Sequence, residues 1–375
     1  MNKRLLAILA ILMVGSLLFT ACGSAKAEEA APAEEAAAEE AAPAEEAAAE
    51  PEFTCALITP NPLGDRSFID SSARGIEQAN AELPVKCDII ETNGVSEHEA
   101  ALRGAIAEGY DMVLGLAIDA ELFVNLANEF PDQKFSSPSE LFVESLPANL
   151  VSYQAEVHES SFLAGIAAGM MTESKILGVV NGGDSPSMNQ FTYGFEQGVW
   201  EVCPDCQVLV SYLGFEFSNP TLGLETALAQ YDQGADIIYQ VAGRSGEGVL
   251  EAAAQVDKYA IGVDSNQDYI QPGHVLTSVI KRVDKCTYDS IASVVNGTFE
   301  GGRFISNGLA EGFSGLSWDE GSTAFEESGP AEMVAKLPEV KAKVEEYRAK
   351  ILSGEYKVCD SLVPETDECV AVLAH

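Results

Sequence analysis

Positive charge is scarce in this chain of 375 residues: 21 Lys+Arg stand against 59 Asp+Glu, a formal net charge of −38. Residues 1–52 hold 3 basic and 10 acidic residues, which leaves −31 on the remainder. Such a surface repels nucleic-acid phosphates and anionic lipid headgroups, so neither is expected as a partner. Histidine is equally sparse. The four residues, at 98, 158, 274 and 375, are too scattered to make a metal set. The dipeptide Gly-Lys never occurs, which removes the GxxxxGK[ST] phosphate loop, and no GxSxG nucleophile elbow is present. No catalytic residue, metal or cofactor is therefore expected, and the chain does not read as an enzyme.

What is present begins at the N-terminus. "MNKR" is a short basic stretch, "LLAILAILMVGSLLF" is apolar but short for a membrane span, and "TACG" places small residues around Cys22. Residues 1–22 are similar to a bacterial lipoprotein signal with Cys22 as the lipidated residue. Several acyl chains on one cysteine give stable anchoring. Residues 23–52 are mostly Ala, Glu and Pro. They lack an apolar stripe, proline interrupts any helix and like charges repel, so they read as an extended spacer holding a domain off the membrane.

Seven cysteines follow Cys22, and an exported chain can oxidise them. "CPDC" at 203–206 has neither a second CxxC nor a spaced histidine, so a structural disulfide is expected there rather than a zinc or redox site. Cys359 with Cys369 closes a short C-terminal loop, Cys55 can meet Cys87 across neighbouring strands, and Cys286 is left as a small buried residue.

From Phe53 onward 323 residues remain, enough for two domains. Continuous apolar runs such as "FTCALIT", "KILGVVN", "DIIYQVA" and "YAIGVD" alternate with helix-like segments such as "DSSARGIEQANAEL" and "EGVLEAAAQVDKY". That alternation predicts an α/β fold with doubly wound parallel sheets, each of five or six strands. Ser96 and Glu99 read as a capping box at the start of a helix ending at Gly109. Gly165 and Gly169, four apart in "HESSFLAGIAAGMM", predict close packing of a helix on a sheet. "FSSPSE" is unusually polar for a strand, and the C-terminal amphipathic helix begins around Pro338.

In open α/β sheets, ligands bind beyond the carboxyl ends of the strands. Asp65, Asp119, Asn181, Gly182, Gly243, Asp264 and Lys281 all fall at such ends, and two sheets facing edge to edge turn them into a polar cleft. Asp after a strand is also an ordinary helix cap. "VAGRSGEGVLEAAA" places Gly243, Gly246 and Gly248 between strand and helix. It is either a tight turn or a set of backbone N–H groups facing a ligand oxygen.

The blocks "GDRSFIDSSARG", "ESSFLAGIAAG", "ILGVVNGG", "YDQGADIIYQVAGRSGEGVLEAA", "AIGVDSNQD" and "VLTSVIKRVD" resemble, in order, those of the basic membrane protein family over roughly residues 53 to 318. These are substrate-binding lipoproteins of ABC importers related to purine-nucleoside receptors. The resemblance implies the type 1 periplasmic-binding-protein fold, with two Rossmann-like lobes joined by three crossings. The lobes expected are 53–153 plus about 266–305 and 154–265 plus about 306–375. It also implies a monomer with a small nucleoside-like ligand, a permease and a separate ATPase as partners, and a lipid anchor on the extracytoplasmic face. By the resemblance, Asp65 and Phe68 lie at the cleft with Phe68 stacking on a base, and Phe191 is a second stacking face. Asp264 accepts from ribose hydroxyls, Lys281 approaches the sugar and Gly243 approaches by backbone. A carboxylate can accept from two vicinal hydroxyls, and base stacking contributes about 1–3 kcal/mol per base. One position departs from the family: after Asp-x-Ser-Phe it has Asn, whereas this chain has Ile69, which cannot hydrogen-bond a purine edge. Either another residue such as Asp119 reads the base, or the ligand is a different one, riboflavin or a sugar. A sensor serving a signalling partner also fits.

Overall fold

The structure, a computed structural model, describes residues 53–374. The signal segment, Cys22 and the spacer at 23–52 lie outside the described residues. The chain begins β1 (Phe53–Thr59), α1 (Phe68–Glu82), β2 (Val85–Glu91), α2 (Val95–Glu108), β3 (Met112–Gly115), α3 (Ala120–Glu129), β4 (Lys134–Ser137) and β5 (Leu150–Ala155). It continues α4 (Val157–Met171), β6 (Ile176–Asn181), α5 (Pro186–Val202), β7 (Gln207–Tyr212), α6 (Pro220–Asp232), β8 (Ile237–Val241), α7 (Gly246–Gln255), β9 (Tyr259–Asp264) and β10 (Val275–Lys281). Then come α8 (Val283–Val295), β11 (Arg303–Asn307), β12 (Ser314–Leu316), α9 (Ala324–Ser328), α10 (Ala331–Val334), α11 (Leu337–Leu352) and α12 (Asp367–Leu373).

Two six-stranded sheets result, ordered β11-β5-β4-β3-β1-β2 and β12-β10-β9-β8-β6-β7. Every pairing is parallel except β12 against β10. Helices cover both faces, and β3, β8 and β10 are buried along their whole length, which is why their sequences run apolar or small without alternation. α1 turns Ile69, Ala73, Ile76 and Ala79 inward at helical spacing, and α8 packs against it through Val283 and Ile291.

The chain passes between the sheets three times: from β5 into α4, from β10 into α8, and from β11 into β12. The crossings are tied to one another. Glu156 N donates to Asn307 O at 2.8 Å, Ser314 Oγ to Glu156 O at 3.1 Å, and Arg282 N to Phe313 O at 2.9 Å. The second crossing comes later than the expected residue 266, because β10 stays in the second sheet, with Val279 opposite Val263 and Ile280 opposite Asp264. Asp268 holds the connecting turn in place: its carboxylate accepts from Ser278, Ser317 and Ser322 at 2.6–2.7 Å.

Two local readings are corrected. α2 starts a residue before Ser96, with Gly94 (φ +127°) as its N-cap, and Glu97 rather than Glu99 reaches back, accepting from Asn93 N at 2.8 Å. Gly165 and Gly169 serve helix-on-helix contact. A Cβ at Gly165 would lie 2.2 Å from Phe195 O of α5, and one at Gly198 would lie 2.1 Å from Phe162 O of α4. The pairs Cys55–Cys87, Cys203–Cys206 and Cys359–Cys369 are disulfides, and Cys286 is free and buried. No described helix is long and apolar enough to cross a membrane.

Candidate functional site

The strand ends of the two sheets face each other around a cavity of about 700 Å³. The ends of β1 to β4 supply one wall, while the ends of β7 to β10 and the start of α5 supply the other. Six of the seven residues expected at a ligand line it: Asp65, Phe68, Phe191, Gly243, Asp264 and Lys281. Asp119 does not. It is exposed and caps α3, accepting from Leu122 N at 2.9 Å, so the expectation that it reads the ligand is corrected.

The floor is charged. Lys281, at the end of β10, is 7% exposed and donates to Glu140, in the loop after β4, at 2.9 and 3.3 Å. Burial works against the ammonium charge, but the carboxylates of Glu140 and Asp264 outweigh it and hold Lys281 above its ordinary value. Asp264 ends β9 with a left-handed φ of +64°, unusual for a side-chain-bearing residue and tolerated best by Asn and Asp. Its Oδ2 accepts from Ser67 Oγ at 2.5 Å. Burial pushes its carboxyl up to about 6, against the opposing pulls of Lys281 and the Ser67 hydroxyl. Oδ1 has no donor among the described residues. Of the six non-glycine residues with positive φ among those described, Ala117, Phe215 and Asp264 line this cavity, the concentration of strain expected at a site that the surrounding fold holds in place.

Aromatic rings form the walls. Lys281 Nζ lies 5.4 Å from the centroid of Phe68, at the start of α1, and 5.8 Å from that of Phe191, in α5, within cation–π range of a ring from each lobe. Phe142, Phe215 and Phe217 line the cavity further out. Gly182 and Gly183 leave room for two of these: a Cβ on either would fall within 2.6 Å of the Phe217 or Phe215 ring. Gly243, at φ +53°, turns the chain into the start of α7.

Asp65 is structural as well as wall-forming. Its carboxylate accepts from Ser67 N, Ile69 N and Asp70 N at 2.9–3.0 Å and so caps α1, while burial pushes it above its ordinary value despite those three donors. Asp70 closes the preceding turn by accepting from Gly64 N and Arg66 N. Around this helix start the two lobes are joined by direct hydrogen bonds. Ser265 Oγ donates to Ser67 O at 3.1 Å, Gln267 Nε2 to Arg66 O at 3.2 Å, and Arg74 Nη2 to Ser265 Oγ at 2.9 Å.

Sequence reasoning missed Glu140. It lies in the polar stretch after β4, whose only signal was that polarity. Taken together, the site is a slot with two aromatic sides and a charged floor.

The fold and sequence place the chain among known proteins. A crystal structure of an ABC transporter solute-binding protein from Aeropyrum pernix K1 superimposes with a TM-score of 0.72 at 28% identity, covering 84% of this chain and 95% of that one. A second such solute-binding protein, from Conexibacter woesei, shares the fold with a TM-score of 0.63. The type 1 periplasmic-binding-protein architecture is thereby established. Basic membrane protein D of Borreliella burgdorferi strain JD1 is 30% identical over 273 residues, 71% of this chain and 79% of that protein. Basic membrane protein A1 of Borrelia garinii is 29% identical over 268 residues, covering 70% and 78%. Residues 53–351 match the Bmp family, described as ABC transporter substrate-binding protein, PnrA-like, and the chain belongs to that family.

Proposed function

We propose that this protein is a lipid-anchored receptor on the extracytoplasmic face of the membrane that delivers a purine nucleoside to an ABC permease. The observation that carries the ligand is the pairing of Phe68 and Phe191, one from each lobe, with Lys281 between them and the Asp264 carboxylate on the floor. Two rings suit a purine, stacking adds about 1–3 kcal/mol per base, and a carboxylate with an open Oδ1 suits ribose hydroxyls. Binding closes the lobes, the closed form docks on the permease, and a separate ATPase supplies the energy, since this chain has no phosphate loop. The protein carries its ligand unchanged and acts as a monomer anchored through Cys22.

A second reading is a larger ring-plus-polyol ligand such as riboflavin. It is favoured by Ile69, which lines the cavity without offering a hydrogen bond, and by the further rings of Phe142, Phe215 and Phe217. Calorimetry on residues 53–375 against nucleosides, flavins and sugars separates the two. Nucleosides are expected to bind and to be recovered intact. Binding of a flavin or sugar with no nucleoside response overturns the nucleoside assignment, and release of free base overturns the carrier role. Nucleoside uptake lost on deletion of the gene separates transport from sensing.

A further inference from the structure

Residues 352–375 lie beyond the stretch matched by the family, which ends at residue 351. Their first part runs along α5 from its last turn to its first. Tyr356 Oη donates to Glu201 at 2.8 Å, Gln197 Nε2 donates to Lys357 O at 3.2 Å, and Cys359 N donates to Gln197 Oε1 at 2.7 Å. Asp360 Oδ1 then accepts from Gln190 Nε2 at 2.8 Å, and Ser361 Oγ donates to Pro186 O at 2.5 Å. The Cys359–Cys369 disulfide closes the chain around these last contacts, and both cysteines pack with Val372 against Tyr193 and Trp200 of α5.

The end of α5 that this segment reaches last is the end that forms the cleft. Ser187, Met188 and Phe191 line the cavity, whereas no residue of 352–375 does. Gln190, next to Phe191, is fully buried, and its amide donor is costly to leave unmatched. Asp360 supplies the acceptor; the other contact of that nitrogen, to His158 Nδ1, is 3.5 Å long. The close contacts of α5 with α4 lie further along the helix: a Cβ at Gly194 would come 2.3 Å from His158 O, and one at Gly198 2.1 Å from Phe162 O. Asn181 Nδ2 ties the cavity end to β6 through Met188 O at 3.0 Å. Asp360 adds a second tie, one residue from the ring.

We propose that Asp360 is a positioning residue for the cleft: through Gln190 it sets the placement of Phe191, so the C-terminal segment governs ligand affinity from outside the cavity. The inference rests on the nucleoside reading, in which Phe191 stacks on the base, and adds to it a part of the chain that does not line the site.

The test is calorimetry with adenosine on the full-length, disulfide-bonded protein as wild type, Asp360→Ala, Asp360→Asn, Phe191→Ala and the Asp360→Ala/Phe191→Ala double variant. Asp360→Ala should weaken adenosine about three- to tenfold, the worth of one hydrogen bond. Asp360→Asn still offers Gln190 an oxygen and should stay within about twofold of wild type. In Phe191→Ala, the Asp360→Ala change should have no further effect, whereas a merely structural role would lower affinity equally in both backgrounds. Binding must also stabilise the segment in return. In wild type, adenosine should therefore slow amide exchange at 356–361 at least about threefold more than in α11, a measurement that needs no variant and is untouched by a folding defect. Unchanged affinity in Asp360→Ala, equal losses in the two backgrounds, or exchange at 356–361 that does not respond to adenosine overturns the inference. Each of these leaves the nucleoside reading standing so long as wild type binds adenosine and Phe191→Ala binds it more weakly. If wild type binds no adenosine, the nucleoside reading falls and this inference with it.

Discussion

Lys281 and Glu140 close the floor of the cleft from opposite sheets: Nζ lies 2.9 Å from Oε1, and both side chains are about nine-tenths buried. Removing one member of a buried pair inside a fixed core strands a charge at a cost of about 3–5 kcal/mol. Here the partners sit on different lobes, and opening the cleft lets water reach the stranded lysine. Glu140→Gln should therefore act on closure more than on folding. Ligand affinity should fall about tenfold to a hundredfold, with little change in the denaturation midpoint. Small-angle scattering of the ligand-free variant should show a larger radius of gyration. Unchanged affinity and unchanged dimensions would mean that the pair does not hold the lobes together.

Asp264 makes stability depend on pH in the direction opposite to that of a salt-bridged carboxylate. Unfolded, it ionises near 3.8; folded, burial raises it to about 6. Between those values the folded chain keeps a proton that the unfolded chain has released. The stability this group contributes is complete below about pH 4 and lost as pH rises through about 6. At about 1.4 kcal/mol per unit, Asp264→Asn should be roughly 3 kcal/mol more stable than wild type at pH 7.5, with the gain shrinking to nothing near pH 4. Asn tolerates the left-handed backbone, so the comparison turns on the loss of the charge. Urea denaturation at four pH values checks this; a gain that does not vary with pH would refute it. Nucleoside affinity should be lost in the same variant despite its added stability.

The three disulfides should rank by the chain they close. Cys55–Cys87 spans 32 residues, Cys359–Cys369 spans 10 and Cys203–Cys206 spans 3. Chain entropy assigns them about 4, 3 and 1.5 kcal/mol. Replacing each pair with alanines in turn and measuring denaturation should reproduce that order. A dominant loss from the 203–206 pair would point instead to a local role at the α5–β7 turn.

The parts of the fold legible in the sequence were those with one physical cause. "KILGVVN" and "DIIYQVA" run apolar because helices cover both faces of their strands, and that burial is visible in composition. β4 was obscure because its buried groups are hydroxyls: Ser136 pairs with Ser290 Oγ at 2.7 Å and Ser137 with Gly115 O at 3.2 Å, both distant in sequence. β11 and β12 lie at sheet edges and are short, and β11 is largely exposed, so neither carries a core pattern. In the site, the strand-end rule placed Asp65, Gly243, Asp264 and Lys281 at the cavity, and the family resemblance added Phe68 and Phe191. Asp119 misled because an Asp after a strand caps a helix or faces a ligand with the same sequence signature, and only the 2.9 Å contact to Leu122 N distinguishes them. Glu140 had no motif to announce it, because its pairing depends on Lys281, which reaches it only through the fold.

The contacts that join the lobes around Ser67, Ser265, Gln267 and Arg74 involve no ligand atom. In a receptor that closes on its ligand, such contacts would favour the shut arrangement whatever fills the cleft, and a share of empty molecules would then have the outline of loaded ones. A transporter that recognised outline alone would then cycle on vacant receptors and waste its fuel. Economy in such a system depends on how far cargo raises the shut fraction above this built-in level, a ratio set as much by these few hydroxyl and amide contacts as by the rings that grip the cargo.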